Sequence, residues 1–236
     1  MEYKFSDKVT GLQASAIREI LKFTSVPGVI SFAAGNPAPE AFPTERIAEL
    51  SAELLRDDPV LALQYNITEG YTPLRDFLKG WMTEKNCFHK EFDDLIVTSG
   101  GQQANELSCK VLLNEGDTLL CESPSFIGSL NAFRSYNVNL VGIEMEDDGI
   151  DLNKLEDALK TQPNVKILYL IPNFQNPSGE SLTLEERKML VELAARHDFL
   201  IVEDSPYREL RYEGEPVPTM YSLDSGRVIH LGSFSK

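Results

Sequence analysis

Five short clusters carry side chains able to do chemistry, and each follows an apolar run. HLGSFSK sets Ser233, Ser235 and Lys236 side by side. Hydroxyls bind phosphate, and a desolvated lysine amine forms a Schiff base with an aldehyde, although a lysine taken alone is equally an ordinary solvated charge. Glu203-Asp204-Ser205-Pro206-Tyr207 follows FLIV. A buried carboxylate there can pair with a protonated ring nitrogen, a solvated one need not, and Tyr207 can approach the same ligand. PNFQNPSGE at 172–180 reads as a rigid polar loop in which Asn176 either hydrogen-bonds a ligand or caps its own turn. Thr98-Ser99-Gly100-Gly101-Gln102-Gln103 combines a glycine turn with the free N–H groups of a helix start, a setting for an anion. It is neither GxxxxGK[ST] nor GxGxxG, so no nucleotide is implied. In Glu122-Ser123-Pro124-Ser125-Phe126, the Phe126 ring either packs or offers a π face to a planar ligand.

Composition narrows the partners. The chain has 236 residues, 22 Lys and Arg against 37 Asp and Glu, and a formal net charge of −15. With 42% apolar and 25% charged residues it is expected to fold as a globular protein rather than remain disordered. A strongly acidic chain without a basic block is a poor match to a phosphate backbone, so nucleic acid is not an expected partner. Cys87, Cys109 and Cys121 form neither an even disulfide framework nor a close metal-ligand pair, and three scattered histidines add no zinc spacing. No apolar run reaches transmembrane length and no signal core follows Met1, so the reading is cytoplasmic, with no membrane partner and no metal.

The elements that must position these clusters alternate. Ile17, Ile20 and Leu21 in SAIREILKF predict a short helix, followed by a Pro/Gly-rich connector. Thr44 is expected to cap a helix over Glu45–Arg56 with Ile47, Leu50, Leu54 and Leu55 on its apolar side. Another helix starts at Thr72-Pro73, with Leu74, Phe77, Leu78, Trp81 and Met82 facing inward. Strands are expected at 95–98, 117–122, 138–143, 166–171, 200–203 and 228–231, and helices at about 100–113, 128–134, 152–160 and 184–197. Thr183 and Glu186 form a capping-box pair for the last helix. The class is α/β, with a mostly parallel sheet covered by helices. Residues 1–44 read as an N-terminal arm with part of a small domain, and 45–236 as a large domain. His89, His197 and His230 are given no catalytic role, His197 because it stands at a helix end and the other two because they have no partner motif, and Cys109 reads as a helix-core residue.

Taken together, GGQQ, ESPSF, PNFQNPSG, EDSPY and GSFSK resemble the pyridoxal-phosphate aminotransferases of the aspartate-aminotransferase fold, fold type I, nearest the aminoadipate/kynurenine branch and its regulator-fused relatives. The resemblance implies that Lys236 holds pyridoxal 5'-phosphate covalently and serves as the catalytic base. It implies that Asp204 pairs with the pyridine nitrogen, and that Asn176 and Tyr207 contact the phenolic oxygen, Asn176 also facing substrate. The phosphate would be held at Gly101, Gln102, Ser233 and Ser235. Phe126 stands where the family usually has a tyrosine, which keeps the stacking surface and removes a phenolic donor. AAGNP at 33–37 resembles the loop that approaches the substrate carboxylate, with Gly35 its most specific match. QYNITEGYTPLR at 64–75 resembles the segment whose tyrosine, here Tyr65, reaches the phosphate of a neighbouring subunit, which implies a homodimer with composite sites. The implied function is transfer of the α-amino group of an L-amino acid to a 2-oxo acid such as 2-oxoglutarate, in two half-reactions. Another reaction of the fold, such as β-elimination, and a non-catalytic regulatory role are the alternatives. The resemblance also implies sequence beyond Lys236: the substrate-carboxylate arginine, a further phosphate-binding arginine, the rest of the sheet and most of the small domain.

Overall fold

Apolar runs without alternation dominate the strands, and the computed structural model places them in a sheet with a hydrophobic core on each face. It describes residues 3–10, 26, 28–30, 37–89, 91, 93–146 and 149–236. The described residues of 1–12 and 72–236 make one compact unit, and those of 13–71 make another. Along the chain run α1 (Asp7–Thr10), α2 (Thr44–Asp57), α3 (Pro59–Leu63), α4 (Thr72–Glu84), α5 (Gly100–Leu112), β1 (Thr118–Ser123), α6 (Ile127–Arg134), β2 (Asn139–Glu146), β3 (Gly149–Ile150), α7 (Leu152–Thr161), β4 (Val165–Leu170), α8 (Leu184–His197), β5 (Leu200–Asp204), α9 (Met220–Leu223) and β6 (Val228–Leu231).

The sheet order is β3-β2-β1-β4-β5-β6. All its ladders are parallel except the short β2–β3 pair. Because strand side chains alternate, each central strand feeds two cores. Leu119, Cys121, Ile167, Tyr169 and Val202 face one side with Cys109 of α5 and Phe133 of α6. Leu120, Leu168, Leu170 and Ile201 face the other with Leu155 of α7, Leu190 of α8 and Met220 of α9. The predicted α/β class and the burial of Cys109 hold. The Thr183–Glu186 capping box forms reciprocally: Thr183 Oγ1 accepts from the Glu186 N–H at 3.3 Å and Glu186 Oε2 from the Thr183 N–H at 2.7 Å.

Three expectations fail for physical reasons. Leu95–Thr98 forms no strand, because a strand needs a ladder partner and none is found among the described residues; Ile96 and Val97 stand exposed. On α4 the buried residues are Arg75 and Leu78, while Phe77 is 67% and Trp81 38% exposed. Arg75 turns this row inward by donating to Leu95 O at 2.6 Å and Asp94 Oδ1 at 2.7 Å. In the second unit, α2 begins at Thr44 with Pro43 as its cap, and Ile47, Leu50, Leu54 and Leu55 are all exposed. Asp58 caps α3 by accepting from the Leu61 N–H. The helix predicted in SAIREILKF lies outside the described residues.

Candidate active site

Strand order reverses between β1 and β4: from β1 the chain moves outward to β2, and from β4 it moves the other way through β5 to β6. Crevices at such reversals, outside the carboxyl ends of the strands, are where open parallel sheets bind ligands. Four of the five chemical clusters stand at those ends, after β1, β4, β5 and β6. The fifth opens α5, where Gly100 takes φ +77° and turns the chain into the helix.

Asp204 ends β5 and is 8% exposed. Its Oδ2 accepts from the Tyr169 hydroxyl at 2.8 Å and from Asn105 Nδ2 at 3.2 Å. Among the described residues Oδ1 receives no hydrogen bond. Burial raises the Asp204 pKa above the ordinary carboxyl value, while Tyr169, Asn105 and the charge of His230 pull it down. A positively charged N–H at Oδ1 would complete the carboxylate and favour its ionised form.

The amine of Lys236 lies 5.6 Å from the centroid of the Tyr207 ring. The Tyr207 hydroxyl is 3.4 Å from Asn176 Nδ2, so lysine, tyrosine and asparagine from three different strand ends meet. Ser233 Oγ accepts from the Ser235 N–H at 3.0 Å, a tight turn that leaves both residues exposed. Gln102 Nε2 donates to the Gly128 carbonyl at 2.9 Å, which ties the start of α5 to α6. The first-turn N–H groups at Gly101 and Gln102 have no intrahelical acceptor and remain available to an anion. The Phe126 ring, 39% exposed, covers Gly128: a Cβ there would sit 2.6 Å from Phe126 Cε1. Tyr65 belongs to the other unit, where its side chain is 97% exposed. Gly35 lies outside the described residues.

Buried polar side chains that the motifs did not mark support these loops. Glu122, 1% exposed, accepts from the Ile171 N–H at 3.2 Å and from Gln175 Nε2 at 3.1 Å, fastening the β1 end to the loop that carries Asn176. Burial pushes its pKa up to about 8 despite those donors. Arg187 holds the same loop from behind through Pro172 O at 2.7 Å and Asn173 Oδ1 at 2.9 Å. His230, without a motif in the sequence, has a partner after all: its Nδ1 is 3.2 Å from Glu203 Oε2. The available signal was a charged or hydroxylated residue inside an apolar strand, such as Tyr169 in KILYLI, which must find a partner when buried.

The residues fit pyridoxal phosphate: a buried carboxylate with one oxygen open, a lysine amine beside a tyrosine–asparagine pair, and hydroxyl and N–H donors suited to phosphate. Fold and site define a fold-type-I protein of the pyridoxal-phosphate class. Residues 27–236 match the family model of aminotransferase class I and II, and the chain belongs to that family. It is 46% identical over 240 residues to aromatic-amino-acid aminotransferase 1 of Thermococcus litoralis, covering 100% of this chain and 58% of that protein. A kynurenine aminotransferase structure from Pyrococcus horikoshii in complex with PMP superposes with a TM-score of 0.91 at 40% identity, over 98% of this chain and 58% of the other. The alpha-aminoadipate aminotransferase LysN of Thermus thermophilus, complexed with N-(5'-phosphopyridoxyl)-L-leucine, gives 0.85 at 40% identity, over 98% and 58%. The chain thus spans somewhat more than half the length of these relatives. Family and neighbours indicate pyridoxal phosphate as the cofactor.

Proposed function

We propose that the whole protein moves the α-amino group of an L-amino acid to a 2-oxo acid, with 2-oxoglutarate as acceptor, in two successive half-reactions. The observation that carries this reading is the pairing of Asp204, buried with one carboxylate oxygen open, with the Lys236 amine beside Tyr207. Pyridoxal phosphate, when bound, supplies an electron sink that makes the Cα–H of an attached amino acid acidic. Lys236 would hold it through Nζ and, once displaced by the substrate amine, would serve as the base that takes the Cα proton and delivers it to the former aldehyde carbon of the cofactor. Asp204 holds a proton on the ring nitrogen, which keeps the sink effective. Asn176 and Tyr207 donate to the phenolic oxygen, and Asn176 also borders the substrate. Ser233, Ser235, Gln102 and the turn at Gly101 hold the phosphate, while Phe126 keeps a face of the ring from water.

The names of the similar proteins suggest aromatic and 2-aminoadipate-like donors as the first to test. We read the active protein as a homodimer in which Tyr65, fully projecting from its segment, reaches the phosphate of a neighbouring site. A catalytically competent monomer in sedimentation would reject that assembly. A cytoplasmic setting is supported by three free, buried thiols, Cys87, Cys109 and Cys121. Among the described residues no helix is long and apolar enough to cross a membrane, and no group of three or more His, Cys, Asp or Glu side chains is placed to hold a metal ion.

The test is the visible spectrum of the intact protein supplied with pyridoxal phosphate, before and after a mixed amino-acid pool. Conversion of the lysine-bound cofactor band to that of the aminated cofactor supports transamination. A folded protein without a bound-cofactor band rejects the reading, and release of ammonia without conversion identifies elimination instead.

A further inference from the structure

Asp204, Tyr169, Ser129 and Asn105 close a ring of hydrogen bonds, one member each from β5, β4, α6 and α5. Its four edges are Asn105 Nδ2 to Asp204 Oδ2 at 3.2 Å, Tyr169 Oη to Asp204 Oδ2 at 2.8 Å, Tyr169 Oη to Ser129 Oγ at 3.0 Å, and Asn105 Nδ2 to Ser129 Oγ at 3.1 Å. Asn105 is 2%, Ser129 0% and Tyr169 0% exposed, so water does not compete for these groups.

From this geometry we infer that Tyr169, with Ser129 and Asn105 behind it, is a positioning residue that fixes Asp204 as an obligatory acceptor at Oδ2 and turns Oδ1 toward the ring nitrogen of the cofactor. The inference rests on the reading of this site as a pyridoxal-phosphate site.

Counting hydrogens gives the ring one direction. The Asn105 amide has two N–H groups and spends one on Asp204 and one on Ser129. With Asp204 ionised and so able only to accept, Ser129, which accepts from Asn105, gives its single hydrogen to the Tyr169 oxygen. The single Tyr169 hydrogen is then left for Asp204. Turning the Asn105 amide over would set its carbonyl against a carboxylate oxygen, and in the present placement Oδ1 of Asn105 is the one buried atom of the ring with no partner. Both lone-pair directions used at Oδ2 are therefore filled by donors, and a proton on that oxygen would meet two N–H or O–H groups. Those two donors favour the ionised carboxylate, and with it a proton held on the ligand side of Oδ1. Glu122 and His230 are the other titratable groups that act on Asp204, the first disfavouring and the second favouring its charge.

A residue of this kind differs from a core filler in one respect: its effect passes through the ring nitrogen. The experiment measures cofactor dissociation constants for the intact protein and for Tyr169→Phe, with pyridoxal phosphate and with the analogue in which carbon replaces the ring nitrogen. Removing one hydrogen bond to a charged group is expected to weaken pyridoxal phosphate roughly tenfold and to leave the carbon analogue unchanged. Equal weakening of both ligands, or no weakening of either, overturns the inference. If Tyr169→Phe does not fold, Ser129→Ala decides it, because it keeps the phenol and releases only its direction: a smaller loss confined to pyridoxal phosphate supports the ring, and any other pattern rejects it. A failure of the wild-type protein to bind pyridoxal phosphate would instead strike the proposed function.

Discussion

The Arg187 guanidinium lies 4.0 Å from the Glu203 carboxylate, and neither side chain has exposed surface. Glu203 is the residue before Asp204 and points to the opposite face of the sheet, so the pair sits directly behind the site. Glu203 also accepts from the Met220 and Tyr221 N–H groups and from His230. Burial drives its pKa up, but His230, the Tyr221 amide and Arg187 outweigh burial and leave it below the ordinary value. The remaining Arg187 N–H groups go to Leu182 O, Pro172 O, Pro218 O and Asn173 Oδ1. One buried cation thus joins α8 to the β4 end that carries Asn176.

Replacing Arg187 with methionine keeps much of the packing volume and deletes the charge. Glu203 loses a buried countercharge, and the Leu182, Pro218 and Pro172 carbonyls each lose a charged donor, Pro172 keeping the Leu182 N–H, a loss of ~3–5 kcal/mol. Urea unfolding should show a midpoint lowered accordingly, and lysine should not restore it, because an ammonium cannot reproduce the planar fork. A midpoint unchanged within error would show that the network is dispensable.

Lys236→Ala should abolish covalent attachment of the cofactor and nearly all turnover. Borohydride reduction followed by mass measurement reads the first, and multiple-turnover amino transfer the second. Near-normal turnover would remove Lys236 from the role of central base.

Asp204→Ala should behave differently. Attachment depends on the lysine, so some remains, whereas proton abstraction from Cα slows by orders of magnitude once the ring nitrogen loses its anionic partner. Single-turnover kinetics with one amino acid separates the two effects. An unchanged rate of Cα–H cleavage contradicts the assignment of Asp204.

Local signals were legible in the sequence and long-range ones were not. The α8 boundaries follow from Thr183 and Glu186, three residues apart, and the strands from uninterrupted Leu, Ile and Val. Motifs marked Lys236, Asp204, Asn176 and Tyr207, and the structure places these residues at or just past the carboxyl ends of β6, β5 and β4. Tyr169 and Asn105 were not marked: their bonds to Asp204 span 35 and 99 positions and exist only once the strand order is known. Leu95–Thr98 has strand composition, but a strand is a property of two segments. Likewise the apolar spacing of Trp81 and Phe77 says that a face is apolar, not which neighbour covers it.

Glu122 provides a test with pH. In the folded protein burial raises its pKa to about 8, with the Gln175 and Ile171 donors only partly opposing this. An unfolded glutamate titrates near about 4.3. Because the folded value is the higher one, the folded state holds the extra proton: this contribution to stability is complete below about 4.3 and is lost as pH rises through about 8. His230, also raised, to about 9, loses its own contribution at the upper end of the range. Comparison with Glu122→Gln separates the two, since glutamine can still accept from the Ile171 N–H and does not titrate. Between pH 5 and pH 8 the wild-type melting temperature should fall by more than that of the variant. Parallel falls would mean that Glu122 enters the fold ionised, held by donors strong enough to cancel its burial.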